Sequence, residues 1–240
     1  MLLSAATASL GQPPAGRPGS EEPKAVEKPP VEDLGNGRYR VGAIDVDKPA
    51  GRFRVPATVL RDEPPLEFLA ATRGGFKSYE SLLELQASAY EFNLACILVG
   101  LDAEGSTPAR HHFDPEPPKG DLVEIWVTWK KDEEEKRAFA GELIQVGGKT
   151  SPPSDWVYTG SIFTPDGRYL AHLDGTAIGL VHDPSSIIEH RTGIGLGAFG
   201  TVEANRALLP PVGTSVTLVV EKRAPPPEGE AGAPARPPAP

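Results

Sequence analysis

The chain has 240 residues, a single cysteine, and 24 Lys and Arg against 33 Asp and Glu, a formal net charge of −9. One thiol excludes an intrachain disulfide and an iron–sulfur cluster. The acidic balance, with no basic stripe, argues against non-specific binding to a phosphate backbone, and no apolar run is long enough to span a bilayer as a helix.

The length admits one or two domains. The ends lower that estimate. Segments 11–33 and 223–240 are rich in Pro, Gly, Ala and Glu, with too few apolar groups to offset the entropy of ordering. Both read as disordered tails, which leaves residues 34–222 as one folded domain. The opening MLLSAATASLGQPP contains Ala6-Thr7-Ala8, a small-residue cleavage pattern, and a Pro-rich spacer follows. Residues 1–33 therefore read as a signal-peptide remnant and linker, although the basic start and full apolar core of such a signal are missing. Export to the periplasm or cell envelope is the expectation.

Asn36-Gly37 is a turn signal. Tyr39–Asp47 and Arg52–Leu60 read as two strands joined at Pro49-Ala50-Gly51. Pro56 cannot donate to a ladder, which predicts an edge strand or a bulge. Leu66–Ala70 reads as a strand and Gly74-Gly75 as a tight turn; Tyr79–Gln86 fits strand or helix. Ser88-Ala89-Tyr90-Glu91 is a capping box. It opens a helix over Ser88–Gly100 whose three-to-four spacing predicts a buried face of Tyr90, Leu94, Ile97, Leu98 and Leu101. Cys96 on this helix reads as a buried core thiol.

Asp102–Gly120 reads as a long irregular loop. Its His111, His112 and Asp114 resemble metal ligands, but adjacent histidines on extended backbone point apart and no third ligand is fixed by spacing. Val123, Ile125, Val127 and Trp129 alternate with polar residues, the clearest amphipathic strand in the chain. The run Lys130–Lys136 reads as a solvated charged loop, and Arg137–Ile144 as a returning partner. Asp155–Phe163, Arg168–Leu173 and Thr176–His182 read as a three-stranded meander with turns at Pro165-Asp166-Gly167 and Asp174-Gly175. Asp183-Pro184 has the residue types that start a short helix. Gly195-Leu-Gly197-Ala-Phe-Gly200 matches the dinucleotide fingerprint, yet no buried strand precedes it and no amphipathic helix follows, so it reads as a glycine loop. Val216, Leu218 and Val220 mark a final strand. The expected fold is a single α+β domain, mostly antiparallel β-sheet, with one main helix packed on it and disordered tails at both ends.

Three stretches, LEFLAATRGGFKSYESLLELQASAYEFNLACILVGL, WVYTGSIFTPDGRYLAHLDGTAIGLVHDP and LPPVGTSVTLVV, resemble the YdjY domain, a bacterial domain of unknown function, over most of Arg38–Glu221. The resemblance implies no established reaction and no cofactor, and it implies proteins that are exported or lipid-anchored in many bacteria. Some relatives carry extra cysteines and a ferredoxin-like label, which this chain's single cysteine does not support. Glu80 and Ser81 match the family's His-Glu-Ser-Leu-Leu element, with Tyr79 in place of the histidine. A phenol with an ordinary pKa of about 10 is a poor base at neutral pH. Gly160-Ser161 and Asp174-Gly175 match two further elements.

Tyr79, Glu80, Ser81, Gly160, Ser161 and Asp174 are accordingly the candidate ligand-binding residues. The leading expectation is a non-catalytic, exported cell-envelope domain that binds a protein, a glycan or a small ligand, with no nucleic acid and no transmembrane span. The alternatives are enzymatic: a hydrolase using Ser81 or Ser161 as nucleophile, His172 or His182 as base and Glu80 or Asp174 as orienting acid, or a metal-dependent activity built from His111, His112, His172 or His182.

Overall fold

The computed structural model describes residues 29–150, 155–196 and 200–223. The expected signal remnant, most of the linker, the C-terminal tail from residue 224 and residues 197–199 of the glycine loop lie outside the described residues.

Turn chemistry sets the first hairpins. β1 (Val31–Gly35) and β2 (Arg38–Val41) flank Asn36-Gly37, whose φ angles of 54° and 73° are the left-handed pair that a two-residue hairpin turn requires. The chain reverses again at Gly42 and enters β3 (Ile44–Asp47), antiparallel to β2. The single strand expected over Tyr39–Asp47 is therefore a hairpin. The glycine allows it: φ is +57° there, and a Cβ would run into the Glu91 carboxylate.

β4 (Arg52–Val59), β5 (Phe68–Ala71) and β6 (Ser81–Leu85) precede α1 (Ala89–Leu98). Next come β7 (Asp121–Lys131), β8 (Glu134–Phe139), β9 (Ile144–Val146), β10 (Lys149–Thr150) and β11 (Trp156–Tyr158). The one-turn helix α2 (Leu170–Asp174) leads to β12 (Thr176–Gly179), β13 (Ile188–His190), β14 (Val202–Ala204) and β15 (Ser215–Lys222). Short 3₁₀ turns lie at Phe76–Glu80 and Ala140–Leu143.

Eight strands close a barrel in the order β4-β15-β7-β11-β13-β12-β5-β6 and back to β4. β5–β6 and β12–β13 are parallel pairs, and the other pairings are antiparallel. β3, β2 and β1 extend the sheet from the side of β4, β8 adds to β7, and β10, β9 and β14 form a small second sheet. This corrects the α+β expectation: the protein is mostly β, and its sheet closes on itself rather than lying open beneath a helix. Closure pairs both edges of the sheet, which removes the exposed backbone groups an open sheet would present.

Pro56 shows how the closure is made. It is not on an edge. β4 pairs with β3 through Arg54 and with β6 from Ala57, and Pro56 falls between the two ladders, so its missing N–H costs no bond. Its carbonyl accepts from the Gln86 amide at 2.8 Å. The barrel interior is filled by alternate residues: Val55, Ala57 and Val59 of β4, Leu218 and Val220 of β15, and Val123, Ile125 and Val127 of β7 are all buried.

The capping box of α1 forms as the sequence predicts. Ser88 Oγ accepts from the Glu91 amide, and the Ser88 amide donates to the Glu91 carboxylate at 2.6 Å. The buried face differs from the expected one. Ala89, Phe92, Ala95 and Cys96 point inward, Tyr90, Leu94 and Leu98 are half-buried, and Ile97 is 52% exposed. The helix lies across one barrel mouth. Phe92 meets Phe53 of β4 edge-on at 5.3 Å, Asn93 accepts from Tyr158 of β11, and the helix also packs on β12. Strands this far apart around the ring share a neighbour only at an opening.

Three further expectations are corrected. Lys130–Lys136 is no loop: β7 runs on through Lys131, Asp132-Glu133 make a two-residue turn with positive φ, and β8 starts at Glu134. The meander does not form, because Leu170–Asp174 closes as a helical turn with Gly175 left-handed as its cap, and β11 pairs with β7 and β13 instead. No helix follows Asp183. Its carboxylate takes the Ser185 amide at 2.8 Å as a local turn, and the chain extends into β13, with the Ile187 amide bonded to Ala177 O.

Candidate functional site: a histidine clamped by carboxylates

The Asp102–Gly120 loop is folded onto the outside of the barrel. Ser106 Oγ donates to Thr159 O, the Ala109 amide to Glu189 Oε1 at 3.3 Å, and the Phe113 amide to His182 O at 2.9 Å. Arg110 grips Asp114 with two bonds of 2.8 Å, which holds the Asp114 carboxyl well below the usual carboxylate range. These anchors set His112 in place. Its Nδ1 lies 2.6 Å from Asp183 Oδ2 and its Nε2 3.1 Å from Glu67 Oε2. The bonds to Asp183 and then Glu67 outweigh partial burial and raise the imidazole to about 9, so at neutral pH it is a cation between two buried carboxylates.

Glu67 precedes β5, where its carbonyl accepts from the Leu180 and Val181 amides at 2.9 and 3.2 Å. Burial pushes Asp183 up, but its bonds to His112 and Ser185 prevail and hold it below the ordinary value. Glu189 lies between Ile188 and His190 on β13 and faces away from the core. Burial first, and then the Asp183 charge, raise it to about 7, against amide bonds from Asp183 and Ala109. The cluster thus joins side chains from four separate stretches of chain.

The residues chosen from the sequence surround this cluster unevenly. Glu80 is buried and ion-paired with Lys77 Nζ at 2.7 Å, and Lys77 and Asp174 both lie within the field of Asp183. Burial and that charge push Asp174 up. Gly75 and Gly175 touch backbone to backbone, so a Cβ on either would run into the other. The Gly-Gly turn and the Asp174-Gly175 element are thereby one contact. Ser161, at φ +61°, donates to Pro184 O at 2.9 Å, and Gly160 O accepts from Tyr169 at 2.9 Å. Tyr79 is 53% exposed against Phe76. Ser81 is fully buried with its hydroxyl on Lys77 O at 2.8 Å.

The histidines proposed as bases are placed elsewhere. His172 is exposed beside Tyr90. His182 is fully buried, with Nδ1 2.6 Å from Asp114 O and Nε2 3.1 Å from the carbonyls of His190 and Arg191. The hydroxyls of Ser81 and Ser161 both end on backbone carbonyls, so neither forms the nucleophile–base bond a hydrolase needs. Among the described residues no three His, Cys, Asp or Glu side chains are disposed to hold a metal ion. Cys96 is fully buried, and burial pushes its thiol well up.

A second feature carries no sequence motif. A groove of about 580 Å³ runs between the β7–β8 hairpin and the 206–214 segment. Lys130, Lys131, Lys136, Arg137 and Arg206 line it, together with Trp129 and a wall of Leu208, Leu209, Pro210 and Pro211. None of the clustered acids or His112 takes part. No local motif marks it, because its two walls are some seventy residues apart and one carries the charged run Lys130–Lys136.

The YdjY domain family model matches residues 44–221, a span that takes in the barrel and the clamped loop. No curated protein and no solved structure matches. Among the described residues no helix is long and apolar enough to cross a membrane. Three quarters of the sequence and all eight barrel strands, but for Lys222 at the end of β15, thus fall within that match, and the chain belongs to the YdjY domain family, whose function is unknown.

Proposed function

We propose that this protein is a non-catalytic binding domain, exported to the cell envelope, that takes its ligand in the groove between the β7–β8 hairpin and the 206–214 segment. The observation that carries the reading is how the polar groups are spent. Ser81, Ser161 and His182 are bonded to backbone carbonyls, and His112 is neutralised by two carboxylates. His182 and His112 thereby fix the 102–120 loop to the barrel, and none of the four residues forms a nucleophile–base pair with another. The groove has the opposite character, with an open apolar wall and cationic side chains at its rim, which is how small-ligand sites are built. Export is supported by the small-residue cleavage pattern at Ala6-Thr7-Ala8 and the Pro-rich spacer after it.

Fractionation of the native host, followed by co-purification from its envelope fraction, tests both halves. The expected result is protein in the envelope fraction, carrying a bound molecule that survives a mild wash. Protein confined to the cytosol contradicts export. Turnover of chromogenic ester or glycoside substrates that is abolished in Ser161→Ala or Ser81→Ala contradicts the non-catalytic reading.

A further inference from the structure

The groove has a charge that the rest of the chain does not. Five of its twelve lining residues are Lys or Arg and none is Asp or Glu, on a chain whose net charge is −9. Two of these cations have partners from outside the groove: Lys136 pairs with Glu134, and Arg206 with Asp62 and Glu63. Lys130, Lys131 and Arg137 form no ion pair within 4.0 Å among the described residues, although Glu135 and Glu134 stand opposite Lys130 and Lys131 in the β7–β8 ladder; Arg137 lies over the rings of Trp126 and Phe139. Lys131 lies two residues past Trp129 on β7, so alternation sets it on the Trp129 face and Lys130 on the other. Below them the nearly buried Trp129 and the Leu208–Leu209 wall supply apolar surface.

We infer that the groove binds a small amphiphilic anion, with its carboxylate or phosphate held by Lys131 at the rim and its apolar body laid along Trp129 and Leu208–Leu209. The proposal rests on the groove being the binding site and adds the class of ligand. A volume of about 580 Å³ falls within the range of small-molecule sites. A rim lysine without an ion pair beside an apolar wall favours a ligand that needs both, because the head group alone would gain only a weak exposed ion pair and the body alone would leave the cation unused.

Decanoate below its micelle concentration is the probe, titrated into the full chain by calorimetry, with acetate and decan-1-ol as head-only and tail-only controls. The expected result is saturable one-to-one binding that Lys131→Gln weakens by about fivefold and that added salt also weakens. Both controls bind more weakly than decanoate. Lys131 is exposed, and an unchanged melting temperature verifies that the variant folds. Decanol binding as tightly as decanoate, a Lys131→Gln variant binding as wild type does, or attachment to anionic lipid vesicles without uptake of monomeric decanoate would each overturn the assignment. A bound molecule of another class from the envelope fraction would overturn it too, while leaving the binding function standing.

Discussion

His112 Nδ1 lies 2.6 Å from the Asp183 carboxylate, a bond between a loop and a turn seventy-one residues later. With Glu67 on its other nitrogen, the ring is the pin that holds the 102–120 loop to the barrel. Its pKa is raised from 6.5 to about 9. A raised histidine stabilises the fold fully below about 6.5, and that contribution is lost as pH rises through about 9. Because the ring is about one-third exposed, the contribution is put at about 1–2 kcal/mol after discounting for solvent. His112→Gln should therefore be less stable than wild type by that amount at pH 6, with the gap narrowing toward pH 10. Urea melts across this range check it, and a gap independent of pH would contradict a charged clamp.

Glu189 gives the same curve a second phase. Its pKa is raised from 4.5 to about 7, first by burial. An acid that holds its proton more tightly in the fold makes stability fall as pH rises from about 4.5 to about 7. Wild-type stability should thus decline in two overlapping steps from mildly acid to alkaline pH, and in His112→Gln only the lower step should keep its full size.

The contact between Gly75 and Gly175 leaves no room for a side chain on either. Gly175 also sits at φ +70° as the cap of α2. Gly175→Ala combines overpacking with a left-handed alanine and should cost about 2–4 kcal/mol, measured as a lowered urea midpoint. Gly74→Ala, where the backbone is equally left-handed but a Cβ meets nothing, should cost only about 1 kcal/mol.

The barrel-mouth helix is held by packing more than by its cap. Phe92→Ala removes a fully buried ring from Phe53 and should cost about 3–5 kcal/mol, whereas Ser88→Ala should cost about 1 kcal/mol. Equal losses would contradict the placement of α1. Cys96, fully buried on the same helix, should resist a thiol reagent until the protein unfolds.

Legibility followed locality. The capping box, the Asn36-Gly37 turn, the β7 and β15 alternations and the buried Cys96 each depend on a few adjacent residues, and each is readable before any fold is known. The inward face of α1 was not, because AYEFNLACIL is apolar nearly all round and only the position of Phe53 selects Phe92 over Leu94. Barrel closure depends on β4 meeting β6 beyond Pro56, a long-range pairing with no local signature. The clamp is hidden for the same reason: Glu67, His112, Asp183 and Glu189 share no spacing, and three of them resemble ordinary strand, loop and cap residues. Of the residues matching the family elements, Asp174 lies within the field of Asp183 and Ser161 bonds Pro184 O, and none of them lines the groove.

The proposed ligand site is the groove between the β7–β8 hairpin and the 206–214 segment, not the clamped cluster. Backbone amide chemical shifts recorded during a decanoate titration test it most directly. Saturating shifts at Trp129–Lys131 and Arg206–Leu209 are expected, with Glu67, His112 and Asp183 unmoved; shifts concentrated at His112 and Asp183, with the β7–β8 hairpin silent, would contradict the groove as the site.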